Sequence, residues 1–422
     1  MPELKNPQRL AAAGLLLWIV FPLIVMPLNA SGTDVHITYN IWATILYLDG
    51  GLGLVLGADY IRRKRPKAMD LLPIWAILAF GLWAVISALA SSHPYAAFFG
   101  FTTMKDCVTS YVAYAGFLML GLILAEDRKT TINLVRVFLA VSAVMALIAV
   151  IDNGFSAAVS INEYTNTPHY QSVFYNTNHY SYYLLINILL SGFMFLRMEN
   201  KAERAAYAVA FILFTVAITF NDTLGSILGV FLTLVFAVIW SFINKEPKRD
   251  KITLAILLAV FIITSILTDT GKELGGSVKL MFSDAGTMFT TSSDTNEFAR
   301  IGSGRGALWR FHWQVMKTFP ILGVGPQNVG YSAHNIFLQL GAYTGFTGLA
   351  LYLSVFVIGA ERLIRRRKEI TDLQKAAAFI VVSYFICAFF GVSMFYTQPY
   401  FYTVLGACLS GALAAPKKGE TK

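Results

Sequence analysis

The chain has 422 residues, of which 56% are hydrophobic and only 14% are charged, and its formal net charge is +9. A water-soluble domain has about a quarter charged residues, so this composition excludes a soluble protein. The positive charge alone would suit a nucleic-acid partner. Most of the lysines and arginines, however, lie in short segments between apolar runs, where basic residues act as topology signals. The cysteines at 107, 387 and 408 form no CxxC pair, so neither a zinc site nor a disulfide framework is predicted.

Apolar runs of about 20 residues, each long enough to cross a bilayer as a helix, recur along the chain. We therefore predict an all-α polytopic membrane protein with about twelve transmembrane helices. The predicted spans are 10–28, 38–60, 71–92, 108–125, 131–151, 181–197, 206–221, 223–243, 252–268, 335–359, 374–395 and 400–416. They form one integrated membrane domain, in which residues 1–268 hold spans 1–9 and residues 335–422 hold spans 10–12 and a tail. The loop between them, 269–334, is expected to contain short helices.

The distribution of basic residues predicts the orientation of the chain. If the N-terminus is cytoplasmic, the inside loops hold basic clusters at 62–67, 128–129, 197–204, 245–251 and 362–375. The short outside loops hold almost none, apart from Lys105. This asymmetry predicts a multi-pass protein of the cytoplasmic (inner) membrane with both termini in the cytoplasm. It places the loop 269–334 and all six histidines on the extracytoplasmic side.

The long outside loop carries a basic cluster. Its members are Lys272, Lys279, Arg300, Arg305, Arg310 and Lys317. In SGRGALWRFHW (303–313), apolar residues recur at three- and four-residue steps through Leu308 and Phe311, which predicts a short helix capped by Ser303. Arginine offers a planar fork that matches phosphate oxygens, and two arginines near one site would suit a pyrophosphate. The alternative is that they reach towards lipid headgroups.

A glycine- and proline-rich turn and a histidine follow this helix. The turn, FPILGVGPQNVG (319–330), is predicted to be rigid and non-helical. No GxxxxGK[ST] phosphate loop is present, so nucleotide hydrolysis is not predicted. His334 and Asn335 then open the tenth span. A histidine at a helix entrance titrates near neutrality and can accept a proton from a hydroxyl, although a single histidine is more often structural.

A second outside element, residues 152–180, is rich in Asn and Tyr, has no Lys or Arg, and leads into YNTNHYSYY (175–183). Aromatic and amide side chains suit sugar rings, which makes Asn178 and His179 candidates for substrate binding. A belt of aromatic residues at the membrane interface is an equally good explanation. Asp49, inside the second span, is predicted to face the bundle interior in a structural role.

Three segments together resemble the shared signature of the O-antigen ligase and O-antigen polymerase superfamily. They are SGRGALW (303–309), PILGVGPQN (320–328) and AHNIFLQLGAYTGFTG (333–348). Weaker likenesses are FFGFTTMKDCVTSYVAY (98–114) and FYNTNHYSYYLL (174–185). The resemblance implies a membrane glycosyltransferase of the GT-C type that needs no metal or other cofactor. Such an enzyme moves a glycan from an undecaprenyl-pyrophosphate carrier to an acceptor hydroxyl on the outer face of the cytoplasmic membrane.

The resemblance also implies roles for individual residues. The family's loop arginine falls on Arg305 and its essential histidine on His334, which are the predicted catalytic residues. The residues predicted to bind pyrophosphate or glycan are Arg310, Lys105, Asn335, Asn178 and His179. A family arginine expected at the start of the eighth span falls on Leu224 in FNDTLGSILG (220–229). A second phosphate contact must therefore come from elsewhere, with Lys105 and Arg310 as candidates.

The predicted partners are the carrier-linked glycan donor, a glycan or lipid acceptor, and membrane lipids. A ligase that uses a lipid A core acceptor and a polymerase that uses a second carrier-linked chain both remain open. A lipid-linked oligosaccharide flippase is an alternative from another class, but it would place charges in a central cavity reachable from both sides. A wall-polymer glycosyltransferase of related fold and a purely structural scaffold are further alternatives.

Overall fold

The computed structural model describes residues 6–30, 35–100, 105–155, 172–174, 176–268, 305–392 and 394–413, with four single positions between 276 and 286. Within these ranges the chain forms fourteen helices and no strand. In chain order the helices are Pro7–Ala30 (α1), Val35–Lys64 (α2), Leu72–Leu89 (α3), Pro94–Phe99 (α4), Val108–Leu124 (α5), Arg128–Phe155 (α6), Thr177–Arg197 (α7), Lys201–Phe220 (α8), Leu224–Ile243 (α9), Lys248–Thr268 (α10), Arg305–Thr318 (α11), Ile336–Arg365 (α12), Asp372–Ala388 (α13) and Gln398–Leu413 (α14).

The prediction of an all-α polytopic membrane protein is confirmed. In the described part of the chain, nine helices are long and apolar enough to cross a membrane, namely α1, α2, α3, α6, α7, α8, α9, α10 and α12. The other three predicted spans correspond to α5, α13 and α14, which have 17, 17 and 16 residues. The short helix α4 was not predicted. Its six residues begin at Pro94, which suits a first helical position because it has no N–H to leave unsatisfied.

Helix α5 lies at the centre of the bundle and approaches its neighbours through small residues. A side chain added at Gly116 would overlap the backbone of Gly50 on α2, and one added at Gly50 would overlap Ala113. On its other side, Gly121 lies directly against the backbone of Thr403 on α14. Small residues at such contacts let the helix backbones come close, which strengthens packing inside a membrane.

Ion pairs join the helices at the end of α7 opposite to His179. Arg197 lies 2.7 Å from a carboxylate oxygen of Asp250 and 3.1 Å from one of Asp372. Lys375 lies 2.9 Å from Glu246. Arg197 and Lys375 were read from the sequence only as topology signals. The structure shows that they also tie α7, α10 and α13 together at this end of the bundle.

Helix α12 corresponds to the predicted tenth span over 335–359, but it is interrupted at one residue. Gly345 has φ +71° and ψ 179°, a conformation available essentially only to glycine, and it divides α12 into 336–344 and 346–365. The N–H of Phe346 donates to the carbonyl of Pro320 at 2.8 Å. A side chain at Gly345 would overlap the carbonyl of Ile321. The break therefore exists because the turn 319–330 packs into it.

The same turn caps the first part of α12. The last carbonyls of a helix have no partner within the helix. Here the N–H of Val324 donates to the carbonyl of Ala342 at 3.0 Å, and the N–H of Gly325 donates to that of Tyr343 at 2.8 Å. From α3, the hydroxyl of Ser87 also donates to the Tyr343 carbonyl at 2.7 Å. The turn and Ser87 thus fix the C-terminal end of this short helix, whose N-terminus carries the predicted site.

Candidate functional site

His334 stands directly before the broken helix in an unusual backbone conformation. Its φ is +47°, in the left-handed region that few residues with a side chain occupy. The loop is held there because the N–H of Ala333 donates to Oε1 of Gln339 at 2.7 Å, and the N–H of His334 lies 3.4 Å from the hydroxyl oxygen of Ser332. Backbone strain of this kind clusters at functional sites, so the conformation marks His334 as a candidate.

Asn335 caps the first part of α12. Its Oδ1 accepts from the N–H groups of Phe337 and Leu338, both at 3.0 Å. A side-chain cap of this kind satisfies N–H groups that otherwise lack a partner. Asn335 was predicted to bind substrate. Because its oxygen is occupied by the cap, a ligand contact would fall to its amide nitrogen.

Arg305 opens α11 and acts on His334 through its charge. Burial is the main cause that lowers the pKa of His334 to about 4, and the positive charges of Arg305 and His312 add to it. His334 is therefore neutral at pH 7, which is the form that accepts a proton. Arg305 is also coupled electrostatically to Cys387 on α13. The charge of the guanidinium thus acts on both the His334 loop and the end of α13.

The buried face of α11 differs from the face read from the sequence. The sequence predicts Leu308 and Phe311 as its apolar positions, but Phe311 is 44% exposed. The residues buried along the helix are Gly306, Trp309, His312 and Met316. The prediction of a helix is therefore correct, but its buried face is rotated relative to the predicted apolar face. Trp309 packs against Phe390 with a ring-centroid distance of 6.4 Å, which holds α11 against the end of α13.

His312 was not predicted as a site residue. It is completely buried, with Nδ1 2.7 Å from the carbonyl oxygen of Leu308 and Nε2 3.0 Å from that of Tyr331. Burial lowers the pKa of His312, and the two carbonyl contacts oppose this. A neutral imidazole can donate to only one of the two carbonyls. Through Tyr331, three residues before His334, this side chain fixes the loop that carries the candidate base.

His179 reaches the same site from α7. It is 2% exposed, its Nδ1 lies 2.7 Å from the hydroxyl oxygen of Tyr396, and its charge is coupled to that of His334. Asn176 caps α7, because its Oδ1 accepts from the backbone N–H of Asn178 at 2.8 Å and from its side-chain amide at 3.0 Å. The predicted pair Asn178 and His179 is thus brought to the site through His179. Most of the loop 152–180 lies outside the described residues.

The other two predicted cations, Arg310 and Lys105, have different surroundings from Arg305. Arg310 lies about 140° around the helix from Arg305, at 100° per residue, and its Nη1 is buried with no hydrogen-bond partner among the described residues. Lys105 packs beside Gly100 and Cys107 at the start of α5. The carbonyl of the next residue, Asp106, accepts from Nε2 of Gln327 at 3.2 Å. Lys105 therefore adjoins the glycine-rich turn. Lys272, Arg300 and Ser303 lie outside the described residues.

Asp106, the residue after Lys105, is a buried carboxyl that the sequence analysis did not single out. It is 2% exposed, and burial raises its pKa to about 7, while the hydroxyl of Tyr111 opposes this. Its charge is also coupled to Tyr343 of α12, whose hydroxyl accepts from the amide of Gln339. Gln339 in turn accepts a hydrogen bond from the N–H of Ala333. Asp106 therefore lies behind the His334 loop rather than in contact with it.

The start of α9 forms a wall of the same site. The hydroxyl of Ser226 lies 2.6 Å from that of Ser181 on α7 and 2.8 Å from Sγ of Cys387. Cys387 is the residue coupled to Arg305. Leu224, the first residue of α9, therefore stands beside the site at the position where the family arginine was expected. An apolar residue there leaves the second cationic contact to another part of the chain.

Part of the chain matches a known protein family. Residues 209–353 match the family model described as O-antigen ligase. This match supports the assignment of the chain to the O-antigen ligase and polymerase superfamily. The matched segment, about a third of the chain, includes α9, α11 and the first part of α12. Arg305, His312 and His334 therefore lie inside it, whereas Lys105, His179 and Tyr396 lie outside. No curated protein matches the chain significantly.

The family and the apolar helices indicate a multi-pass membrane enzyme of the ligase or polymerase type. The match supports a role in glycan transfer, and the family implies lipid-linked glycan substrates. The segments that the sequence analysis compared with the family, 303–309, 320–328 and 333–348, all lie within the matched stretch. In the structure they form α11, the capping turn and the broken helix.

Proposed function

We propose that this protein transfers a glycan from an undecaprenyl-pyrophosphate carrier to an acceptor hydroxyl at the outer face of the cytoplasmic membrane. The observation that carries the proposal is that the buried, neutral imidazole of His334 feels the positive charge of the Arg305 guanidinium. A fixed cation suits a phosphate leaving group, and a neutral imidazole suits a hydroxyl that must lose a proton. The ligase and polymerase reactions differ only in the acceptor, and this pair of residues would serve both.

The reaction balances with the donor, the acceptor and one base. The acceptor oxygen attacks the anomeric carbon of the donor sugar, and a new carbon–oxygen bond forms. The bond between that carbon and the pyrophosphate oxygen breaks, and the lipid pyrophosphate leaves with the electron pair. His334 accepts the proton of the hydroxyl, a contribution typically worth about 10²–10⁴-fold in rate.

Arg305 would stabilise the negative charge that grows on the leaving pyrophosphate. Arg305 is the first residue of α11 and His334 directly precedes the capping residue of α12, and the dipole of each helix favours an anion at its N-terminus. Arg310, whose buried Nη1 lacks a partner among the described residues, is one candidate for a second contact, and Lys105 is the other. A docked pyrophosphate would raise the pKa of His334, because an adjacent anion favours the imidazolium. The base would thus become stronger only when the donor is bound.

The test is a reconstituted assay with the full-length protein in lipid vesicles. The donor is undecaprenyl-pyrophosphate-linked oligosaccharide, and the acceptors are lipid A core in one series and a second carrier-linked chain in the other. Formation of the longer glycan together with release of undecaprenyl pyrophosphate supports the proposal, and the productive acceptor separates ligase from polymerase. Movement of the donor across the vesicle membrane without release of the carrier would instead identify a flippase.

The outer location of the site is tested separately. The three native cysteines are buried, so a cysteine placed at Tyr331, which is 67% exposed, gives a single labelling position near His334. A maleimide that does not cross membranes should label Tyr331→Cys in intact spheroplasts. Labelling only after the membrane is opened would place the site in the cytoplasm and overturn this part of the proposal.

A further inference from the structure

The imidazole of His179 has one ring nitrogen engaged and one open. Nδ1 lies 2.7 Å from the hydroxyl oxygen of Tyr396, a residue that follows it by 217 positions. Nε2 is buried and has no hydrogen-bond partner among the described residues. A buried polar atom without a partner is costly, and a bound ligand is one way to satisfy it. The open nitrogen belongs to a ring whose charge is coupled to that of His334.

Tyr396 is held so that its hydroxyl cannot swing away from His179. Its ring is completely buried and stacks on Trp42 at a centroid distance of 5.1 Å and an interplanar angle of 25°. It also stacks on Tyr39 at 5.6 Å and 23°, and packs against Phe174 at 5.4 Å. Packing on several sides by large rings fixes the position of the phenol oxygen relative to α7.

We propose that Tyr396 is a positioning residue for donor binding. Its hydroxyl donates to Nδ1 of His179 and so keeps the hydrogen of that imidazole on Nε2, where it donates to a phosphate oxygen of the lipid pyrophosphate. The inference rests on the proposed function, since it gives the same site a further contact to the donor. Neither residue of the pair lies within the segment that matches the family model.

The choice of tautomer follows from the charge of the ligand. A neutral imidazole carries its hydrogen on one nitrogen only, and the other nitrogen accepts. A pyrophosphate oxygen accepts hydrogen bonds and cannot donate, so an Nε2 lone pair facing it would repel it. Arg305 and the N-terminus of α7 already make this region suitable for an anion. A hydroxyl donating to Nδ1 selects the tautomer that agrees with these surroundings.

The experiment measures binding of inorganic pyrophosphate to full-length protein in detergent by calorimetry, for wild type and Tyr396→Phe. The phenylalanine keeps the stacked ring and removes only the hydroxyl. We expect pyrophosphate binding to weaken about tenfold, the effect of losing one oriented hydrogen bond to a charged group. Glycan transfer, measured in parallel, should show a higher donor KM with a smaller change in kcat.

The matched control is Tyr180→Phe. Tyr180 is also completely buried and stacks on Phe174 at 5.4 Å, but its hydroxyl has no hydrogen-bond partner in the described part of the chain. This variant should bind pyrophosphate like wild type. Thermal unfolding of both variants shows whether the aromatic cluster is intact. An equal loss of binding in Tyr180→Phe would mean that the cluster is merely sensitive to change, and the proposal would fail.

A double variant separates positioning from general structural support. A glutamine at 179 carries its own N–H donors, so His179→Gln should retain part of the binding and need no tautomer to be fixed. In that background Tyr396→Phe should have no further effect. If it weakens binding as much as it does in wild type, Tyr396 does not act through His179.

Two results would distinguish this inference from the proposed function. Weaker pyrophosphate binding in Tyr396→Phe, with a wild-type protein that transfers no glycan to either acceptor, would overturn the proposed reaction and leave the positioning role in place. Normal pyrophosphate binding in Tyr396→Phe, with a wild type that transfers glycan, would overturn the positioning role alone. Selective ¹⁵N labelling of histidine adds a direct reading, because the hydrogen of His179 should be on Nε2 in wild type.

Discussion

Arg305 lies close enough to His334 for the charge of its guanidinium to lower the pKa of the imidazole. One side chain comes from the first residue of α11, and the other from the loop before α12. The proximity couples two tasks of the proposed reaction. Together with burial, the main cause, the cation that would bind the leaving pyrophosphate keeps the base unprotonated, and a bound anion would offset that cation.

Replacing His334 tests the base directly. We expect His334→Gln to lower kcat for glycan transfer by about 10²–10⁴-fold, because glutamine fills similar space but does not accept a proton. Donor binding should change little, since the guanidinium remains. The control is His36→Gln, an exposed histidine at the start of α2. Transfer by His334→Gln at the wild-type rate would remove the role of His334 as base.

Replacing Arg305 tests the phosphate contact and the coupling together. Arg305→Lys keeps the charge but loses the planar fork, so donor affinity should fall by about tenfold. Arg305→Ala also removes the charge that lowers the pKa of His334, so that pKa should rise and the acid limb of the pH–rate profile should move to higher pH. Lys317→Ala, an exposed cation on the same helix, is the control. An unchanged acid limb in Arg305→Ala would contradict the coupling.

The lowered histidine pKa values predict how stability depends on pH. The pKa of His334 is about 4 in the folded protein and about 6.5 in an unfolded chain. Between these values the unfolded state binds more protons, so stability falls as the pH drops from about 6.5 towards 4. The lowered pKa of His312 acts in the same direction. His334→Asn should therefore reduce the loss of thermal stability between pH 7 and pH 5. An equal loss in both proteins would show that His334 does not contribute.

The break in α12 predicts a large effect for a small substitution. Gly345→Ala places a side chain where only glycine is tolerated, at a cost of about 1–3 kcal/mol for the backbone alone, and also against the carbonyl of Ile321. We expect a lower unfolding temperature and loss of transfer. Gly81→Ala on α3 is the control, because no atom lies within 4 Å of the added carbon. A normal unfolding temperature for Gly345→Ala would mean that the break is not fixed by the turn.

The sequence predicted the helices well because hydrophobic runs and basic clusters are local signals. It predicted Arg305 and His334 because they lie in segments that resemble a family signature. It did not predict the break at Gly345, since the reason for it is the packing of a turn that precedes the helix. Tyr396 and His312 were not predicted, for a similar reason. The partner of Tyr396 is His179, 217 positions away, and the partner of His312 is the Tyr331 carbonyl, 19 positions away. No local sequence pattern indicates either contact.

The last prediction concerns His312, which contacts the loop that carries His334 through the carbonyl of Tyr331. In His312→Phe the carbonyl of Tyr331 loses its contact with the imidazole, at a cost of about 0.5–1.5 kcal/mol, and the backbone before His334 is held less firmly. We expect a lower unfolding temperature and a kcat reduced by about tenfold, with a smaller change in donor KM. Misplacing a catalytic group by about 1 Å is enough for such a loss.

A conservative variant separates the hydrogen bond from the volume of the ring. In His312→Gln the amide nitrogen can reach towards the Tyr331 carbonyl, which lies 3.0 Å from Nε2 in the wild type. This variant should recover most of the stability and part of the kcat lost in His312→Phe, because the carbonyl regains a donor. If both variants are as active and stable as wild type, the loop is held by other contacts, with the bond from Ala333 to Gln339 the first to examine.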